Sequence, residues 1–131
     1  MRLVLTACGL ALALAACTLR REAPPPPFSE LDAYKKVVAL DILQHAPGAY
    51  CQPGEEMLKS VVILEIAIDA EGRLAAATVV RSNGHPELVQ RALETVMAAA
   101  PFTPPGQGMQ FLETFLFRDD ECFQIRSLVA R

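Results

Sequence analysis

The spacing of apolar residues predicts a first helix over residues 30–45. Apolar side chains recur there with the 3.6-residue period of a helix that packs on one face. Ser29, with an acid three residues later at Asp32, resembles a capping box and would be the N-cap. Ala46-Pro47-Gly48 is expected to end the helix. The apolar stripe consists of Leu31, Tyr34, Val38 and Ile42.

The next segment changes to a two-residue period and predicts a β-hairpin. Ser60–Asp69 is rich in β-branched residues, and its alternate positions form one apolar face. Ala70–Gly72 fits a three-residue connection in which Gly72 takes the positive φ of a bulge. Leu74–Arg81 is the returning strand. The face expected to be buried consists of Val62, Leu64, Ile66 and Ile68.

Two further elements complete the predicted fold. Pro86 to about Ala100 predicts a second helix, since proline suits its first position and Pro101 stops it. Gln110–Phe117 predicts a third strand with phenylalanines at period two. The predicted class is α+β in the order α-β-β-α-β, with a three-stranded antiparallel sheet and helices packed on one face.

The first sixteen residues have the pattern of an export signal. Arg2 precedes an apolar run that is shorter than the roughly 20 residues of a spanning helix. The run ends in Leu14-Ala15-Ala16-Cys17, which resembles the bacterial lipobox, where signal peptidase cuts before a cysteine that receives lipid. We therefore predict a lipoprotein signal over residues 1–16 and lipidation at Cys17. An ordinary secretory signal or a frayed apolar helix is the alternative.

A short tether is predicted over residues 17–28, because the four prolines of Pro24–Pro27 favour extended polyproline geometry. Residues 29–131 then form one domain. Thr18 rather than aspartate follows the lipobox cysteine, which under the enterobacterial sorting rule favours the outer membrane over the inner. The expected location is the periplasmic side of the bacterial envelope, with the domain held on the membrane through the lipid anchor.

Charge and composition narrow the function classes. The formal net charge is −3 at pH 7, and removing Arg2 with the signal makes it −4. The chain has no run of lysine or arginine and no tryptophan, so a nucleic-acid partner is not expected. The acidic run Asp119–Glu121 is interpreted as a solvated turn, with a metal site as the alternative.

Cys51 and Cys122 are the cysteines left in the exported domain, and an oxidising compartment predicts one disulfide between them. The alternatives are two free thiols, a thiol nucleophile served by His45 or His85, or a zinc site built from these four residues. The histidines lie in no recognised catalytic motif, and the four positions lack the close paired spacing of structural zinc sites. We therefore expect no enzymatic activity, no cofactor and no bound metal.

The order of motifs resembles the C-terminal domain of TonB and its relative TolA. That family has a hydrophobic strand, an acid-x-x-Gly-Arg/Lys turn, a strand ending in Arg-Ser-Ser/Asn-Gly, a helix, Pro-Phe and a final strand. Gly72 and Gly84 occupy the two turns, where a side chain would resist positive φ. Ser82 is expected to bond backbone amides in the second turn. The matching elements are Val61–Ile68, Asp69–Arg73, Leu74–Ser82, Asn83–Gly84, Leu88–Ala100, Pro101–Phe102 and Phe111–Phe117.

The resemblance implies binding of an envelope protein, either an outer-membrane receptor or a periplasmic Tol-like component. Family members present the final strand as an open sheet edge, to which a segment of the partner adds as another strand. In the alternative, the tail Cys122–Val129 covers this edge, and the chain is a structural lipoprotein acting through its loops or a helix face. The predicted edge consists of Gln110, Phe111, Leu112, Glu113, Thr114, Phe115, Leu116 and Phe117.

Two features separate this chain from the energy-transducing members of that family. Those members keep an N-terminal transmembrane helix and a long periplasmic span, whereas this chain has a lipobox and a stalk reaching only about 30 Å. The prediction is therefore a membrane-tethered adaptor that supports a TonB- or Tol-type system.

Overall fold

The computed structural model describes residues 28–129, and the predictions of a signal, a lipid anchor and a tether before Phe28 lie outside this range. The sheet has the strand order β2-β1-β3-β4, and neighbouring strands are antiparallel. The predicted α+β class is confirmed, but the sheet has four strands rather than three. The elements are α1 (Phe28–His45), β1 (Leu58–Ile68), β2 (Leu74–Ser82), α2 (Pro86–Ala99), β3 (Met109–Arg118), β4 (Phe123–Ile125) and α3 (Arg126–Val129).

The hydrophobic core lies between one face of the sheet and the helices. Alternate side chains of β1 are buried, as the two-residue period predicts, because successive side chains of a strand point to opposite faces. The helices α1 and α2 place their apolar stripes on that face, while the opposite face of β1 stays half-buried. The central core residues are Val38, Ile42, Leu64, Ile66, Leu88, Val96, Phe115 and Phe117.

The start of α1 differs from the capping-box prediction. Phe28 already belongs to the helix, so Ser29 lies within its first turn and not at the N-cap. An N-cap residue has a non-helical backbone, which excludes Ser29 from that position. Within residues 28–129, no helix combines the length and the apolar character needed to cross a membrane.

The hairpin between β1 and β2 has the predicted glycine geometry. Gly72 has φ +91°, and a Cβ atom there would collide with the carbonyl oxygen of Phe102. Asp69 closes the turn, since its Oδ1 accepts hydrogen bonds from the backbone N–H of Glu71 at 3.0 Å and of Arg73 at 2.9 Å. Glycine is therefore required both for the backbone angle and for the close approach of the following loop.

The turn between β2 and α2 corrects one prediction. Gly84 has the expected positive φ of +98°, but Ser82 is the last residue of β2 and makes no side-chain hydrogen bond among residues 28–129. Asn83 makes the side-chain bonds there instead, and its partners belong to β1 and not to the turn. Its Oδ1 accepts bonds from the Ser60 hydroxyl and the Val61 N–H, each at 2.9 Å, because the turn brings it beside β1.

Candidate functional site: an uncovered stretch of the β3 edge

The C-terminal part of β3 is not the open edge that the sequence predicted. Phe115, Leu116 and Phe117 pair with β4, so the alternative of a tail folding back is correct for these three residues. The physical reason is Phe123, which is fully buried with its ring centroid 5.5 Å from that of Phe115 and 6.0 Å from that of Phe117. Burying this ring requires β4 to lie beside β3.

The loop after α1 in turn holds β4. The backbone N–H of Cys51 donates to the carbonyl of Phe123 at 2.8 Å, and the N–H of Phe123 donates to the carbonyl of Ala49 at 3.0 Å. The disulfide predicted between Cys51 and Cys122 is present in the structure. Because both sulfur atoms are bonded to each other, neither is a thiol nucleophile or a metal ligand in this state.

The N-terminal part of β3 has no strand on its outer side within residues 28–129. The N–H groups of a strand alternate between its two sides, and Arg118 directs its N–H toward β4, where the carbonyl of Cys122 accepts it at 3.0 Å. The even-numbered residues of β3 therefore direct their backbone groups to this side. At Gln110 and Leu112 these groups meet no neighbouring strand of the described chain.

Thr114 marks the end of the uncovered stretch. Its outward N–H donates to Oε1 of Glu113 at 3.0 Å, so this group is not available to an added strand. Glu113 is only 2% exposed, and its carboxylate also accepts hydrogen bonds from the N–H and the hydroxyl of Ser127 in α3. The available edge is therefore Gln110–Glu113, shorter than the predicted Gln110–Phe117.

A groove of about 270 Å³ lies along this boundary, between α1, β3 and α3. The helix α1 is held over β3 by Tyr34, whose ring centroid lies 6.1 Å from that of Phe111 in an edge-to-face contact. Burial, with the nearby charges of Asp41 and Asp69, raises the pKa of Tyr34 to about 12, so the phenol stays protonated. The groove is lined by Asp32, Lys35, Lys36, Leu112–Thr114, Arg126 and Ser127.

The charges of the groove are distinctive within the described chain. Residues 28–129 contain eight lysines and arginines, and four of them form ion pairs with carboxylates. Three of the other four, Lys35, Lys36 and Arg126, line the groove. No sequence motif marks these three residues as a site, although Lys35-Lys36 falls largely off the apolar stripe of α1, which indicates a surface position.

The remaining predicted residues lie elsewhere. His45 Nδ1 is 2.8 Å from the backbone oxygen of Asp41 in its own helix, and His85 Nδ1 is 3.5 Å from Glu87. Glu121, in the predicted acidic turn, pairs with Lys59 at 3.2 Å and Arg91 at 3.3 Å. Hydrogen bonding and the charge of Lys59, with a further contribution from Arg91, lower the pKa of Glu121.

Residues 55–115 match the family model described as the C-terminal region of the Gram-negative bacterial TonB protein. Over these residues, the chain is similar to the TonB C-terminal family. The solution structure of the Helicobacter pylori TonB C-terminal domain is similar, with 22% identity and a TM-score of 0.48, covering 71% of this chain and 94% of that chain. No curated protein matches the sequence.

The matched segment covers part of the described fold. It contains β1, β2, α2 and β3 as far as Phe115. The strand β4 and the helix α3 lie outside it, and these are the elements that cover one part of the β3 edge and close the groove beside the other. The uncovered stretch Gln110–Glu113 lies inside the matched segment.

Proposed function

We propose that the chain is a membrane-tethered adaptor of the bacterial envelope that binds a protein partner by strand addition beside Gln110–Glu113. The observation that carries this proposal is the unpaired backbone of Gln110 and Leu112 within a segment similar to the TonB C-terminal family. An unpaired edge offers a row of hydrogen-bonding groups, and an extended segment of a partner recognises such a row through its own backbone. We infer binding without catalysis.

The groove supports the proposed site beyond the backbone alone. A strand added beside Leu112 would lie in line with β4, with α1 above it and α3 at its end. The side chain of Leu112 is 48% exposed, and an added strand would remove part of this apolar surface from water. The site therefore offers hydrogen bonds, apolar contact and charge at one place.

The tether and the location belong to the same proposal. Lipid at Cys17 would hold the domain on the periplasmic side of a membrane, with the outer membrane favoured by Thr18. The partner is then an outer-membrane receptor or a periplasmic component of a TonB- or Tol-type transport system. The short stalk restricts the domain to partners close to that membrane.

One observation favours the alternative of a structural lipoprotein that acts through its loops or helix face. The strand β4 closes the edge at Phe115–Phe117, so the open part of β3 is short. The two functions make different predictions for a backbone change at Leu112, since only strand addition uses its N–H group.

The test is the substitution Leu112→Pro in the full-length chain. Proline removes the outward N–H of Leu112, and an edge strand tolerates proline where that N–H faces away from its partner strand. We expect a folded protein with partner binding reduced by about tenfold, the effect of one lost hydrogen bond and a misplaced strand. The matched control is Leu112→Ala, which shortens the same side chain but keeps the outward N–H.

Binding is measured by cross-linking in living cells followed by mass spectrometry, with circular dichroism as the check of folding. An unchanged yield of partner from folded Leu112→Pro would exclude strand addition at this edge. The search would then move to the loops and the helix face.

A further inference from the structure

The groove contains cationic side chains that form no ion pair with the rest of the described domain. Lys35, Lys36 and Arg126 form no ion pair among residues 28–129, whereas four of the other five lysines and arginines there do. The groove also contains two carboxylates, the exposed Asp32 and the buried Glu113, so its three cations exceed its acids by one. The groove therefore presents an excess of cations to whatever enters it.

The groove is also closed at one end. The chain leaves the sheet at Ile125 and enters α3, and Ser127 fixes this helix to β3 through Glu113. Continued β4 pairing would have placed residue 126 opposite Thr114, and α3 occupies that place. A strand that adds beside Gln110 and Leu112 consequently meets α3 and cannot continue along β3.

The direction of the added strand decides which group meets this closed end. A strand parallel to β3 brings its carboxyl-terminal end toward Thr114, whereas an antiparallel strand brings its amino-terminal end there. Because three cations outnumber the two carboxylates of the groove, a carboxylate is favoured there over an ammonium group. The charge of the groove therefore favours a partner strand that runs parallel to β3 and ends at the groove in a free carboxylate.

We propose that the groove binds the free carboxyl terminus of an extended partner segment, which adds parallel to β3 and places its terminal carboxylate beside Lys35, Lys36 and Arg126. This inference rests on the proposed strand addition and specifies its occupant. Recognition of a chain terminus combines backbone pairing with one charged end, and such a site distinguishes a terminus from the same sequence inside a longer chain.

The experiment uses two libraries of random hexapeptides that are identical except at the carboxyl terminus. Each peptide is attached through its amino-terminal end, and it ends either in a free carboxylate or in a carboxamide. The probe is the full-length chain with a fluorescent label, and the amide signals of Gln110 and Leu112 in NMR spectra confirm where each selected peptide binds. The variants are Lys36→Gln and Arg126→Gln, with Arg81→Gln as the control because Arg81 is the unpaired cation of residues 28–129 that lies outside the groove.

We expect selected peptides with a free carboxylate to bind about tenfold more tightly than their carboxamides, the effect of two exposed ion pairs. Lys36→Gln and Arg126→Gln should each reduce this preference, and Arg81→Gln should leave it unchanged. Raising the salt concentration should also reduce it, because the pairs are exposed.

Three results would overturn the inference in distinguishable ways. Equal binding of both forms, with the amides of Gln110 and Leu112 shifted, would retain strand addition and reject the terminal carboxylate. The terminal carboxylate would also be rejected if carboxamides bound as tightly as free carboxylates, but only when the peptides contained aspartate or glutamate. A side-chain carboxylate would then occupy the groove. No binding from either library would reject strand addition together with this inference.

Discussion

The disulfide between Cys51 and Cys122 is expected to be a main source of stability for this domain. It joins positions 71 residues apart, and the entropy lost by closing such a loop in the unfolded chain corresponds to about 4 kcal/mol. A domain of this size gains about 4–8 °C in melting temperature per kcal/mol, so removing the bridge should lower it by about 15–30 °C. The change to make is the double variant Cys51→Ala and Cys122→Ser, with alanine at Cys51 because that site is only 4% exposed.

The assay is thermal unfolding followed by circular dichroism, on the double variant and on the unmodified chain with and without reductant. The reduced unmodified chain is the matched control, because it retains the cysteine side chains and lacks only the bond. The double variant and the reduced unmodified chain should lose similar amounts of stability. The oxidised unmodified chain should retain its full stability. A fall of less than about 5 °C in both would show that the bridge does not stabilise the domain by restricting the unfolded chain.

Three other substitutions test the packing and the polar contacts. Phe123→Ala should cost about 3–5 kcal/mol in chemical denaturation, because the ring is fully buried between β3 and the loop of Tyr50; a cost near zero would mean that β4 is not part of the core. Asn83→Ala should cost about 1–3 kcal/mol, since it leaves the buried Ser60 hydroxyl without its acceptor, and Asn83→Asp should recover part of the loss. Glu121→Gln should destabilise the domain at neutral pH only. The pKa of Glu121 is lowered in the folded state, so its contribution is present above its unfolded pKa of about 4.3 and is lost as pH falls through the folded value. Equal stability of variant and unmodified chain at pH 7 would contradict this.

The sequence was sufficient for the elements with a clear period. The strand β1 and the helix α2 have long apolar patterns bounded by glycine or proline, and both lie within two residues of their predicted limits. The short β4 was not predicted as an element, because three residues carry too little pattern to be separated from a tail. Its local signal was the alternation of Phe123 and Ile125, and the expected disulfide of Cys122 was a second, non-local signal.

The candidate site was predictable only in outline. The family resemblance indicated β3, but coverage of an edge depends on which segments lie beside it, and only tertiary structure shows that Thr114 is bonded to Glu113. The groove cations come from α1 and α3, far apart in sequence, so no local motif joins Lys36 to Arg126. Asn83 was missed for the same reason, since its partners belong to β1.

Strand addition at β3 is tested most directly by photo-cross-linking in living cells from positions Gln110 and Leu112. Ala76 on β2 is the matched control, because it lies on the same sheet face as these positions and at the opposite edge. Strand addition predicts one discrete envelope protein cross-linked from positions 110 and 112, and none from position 76. Cross-links from positions 110 and 112 only to the chain's own tail, or the same partner from position 76 alone, would contradict it.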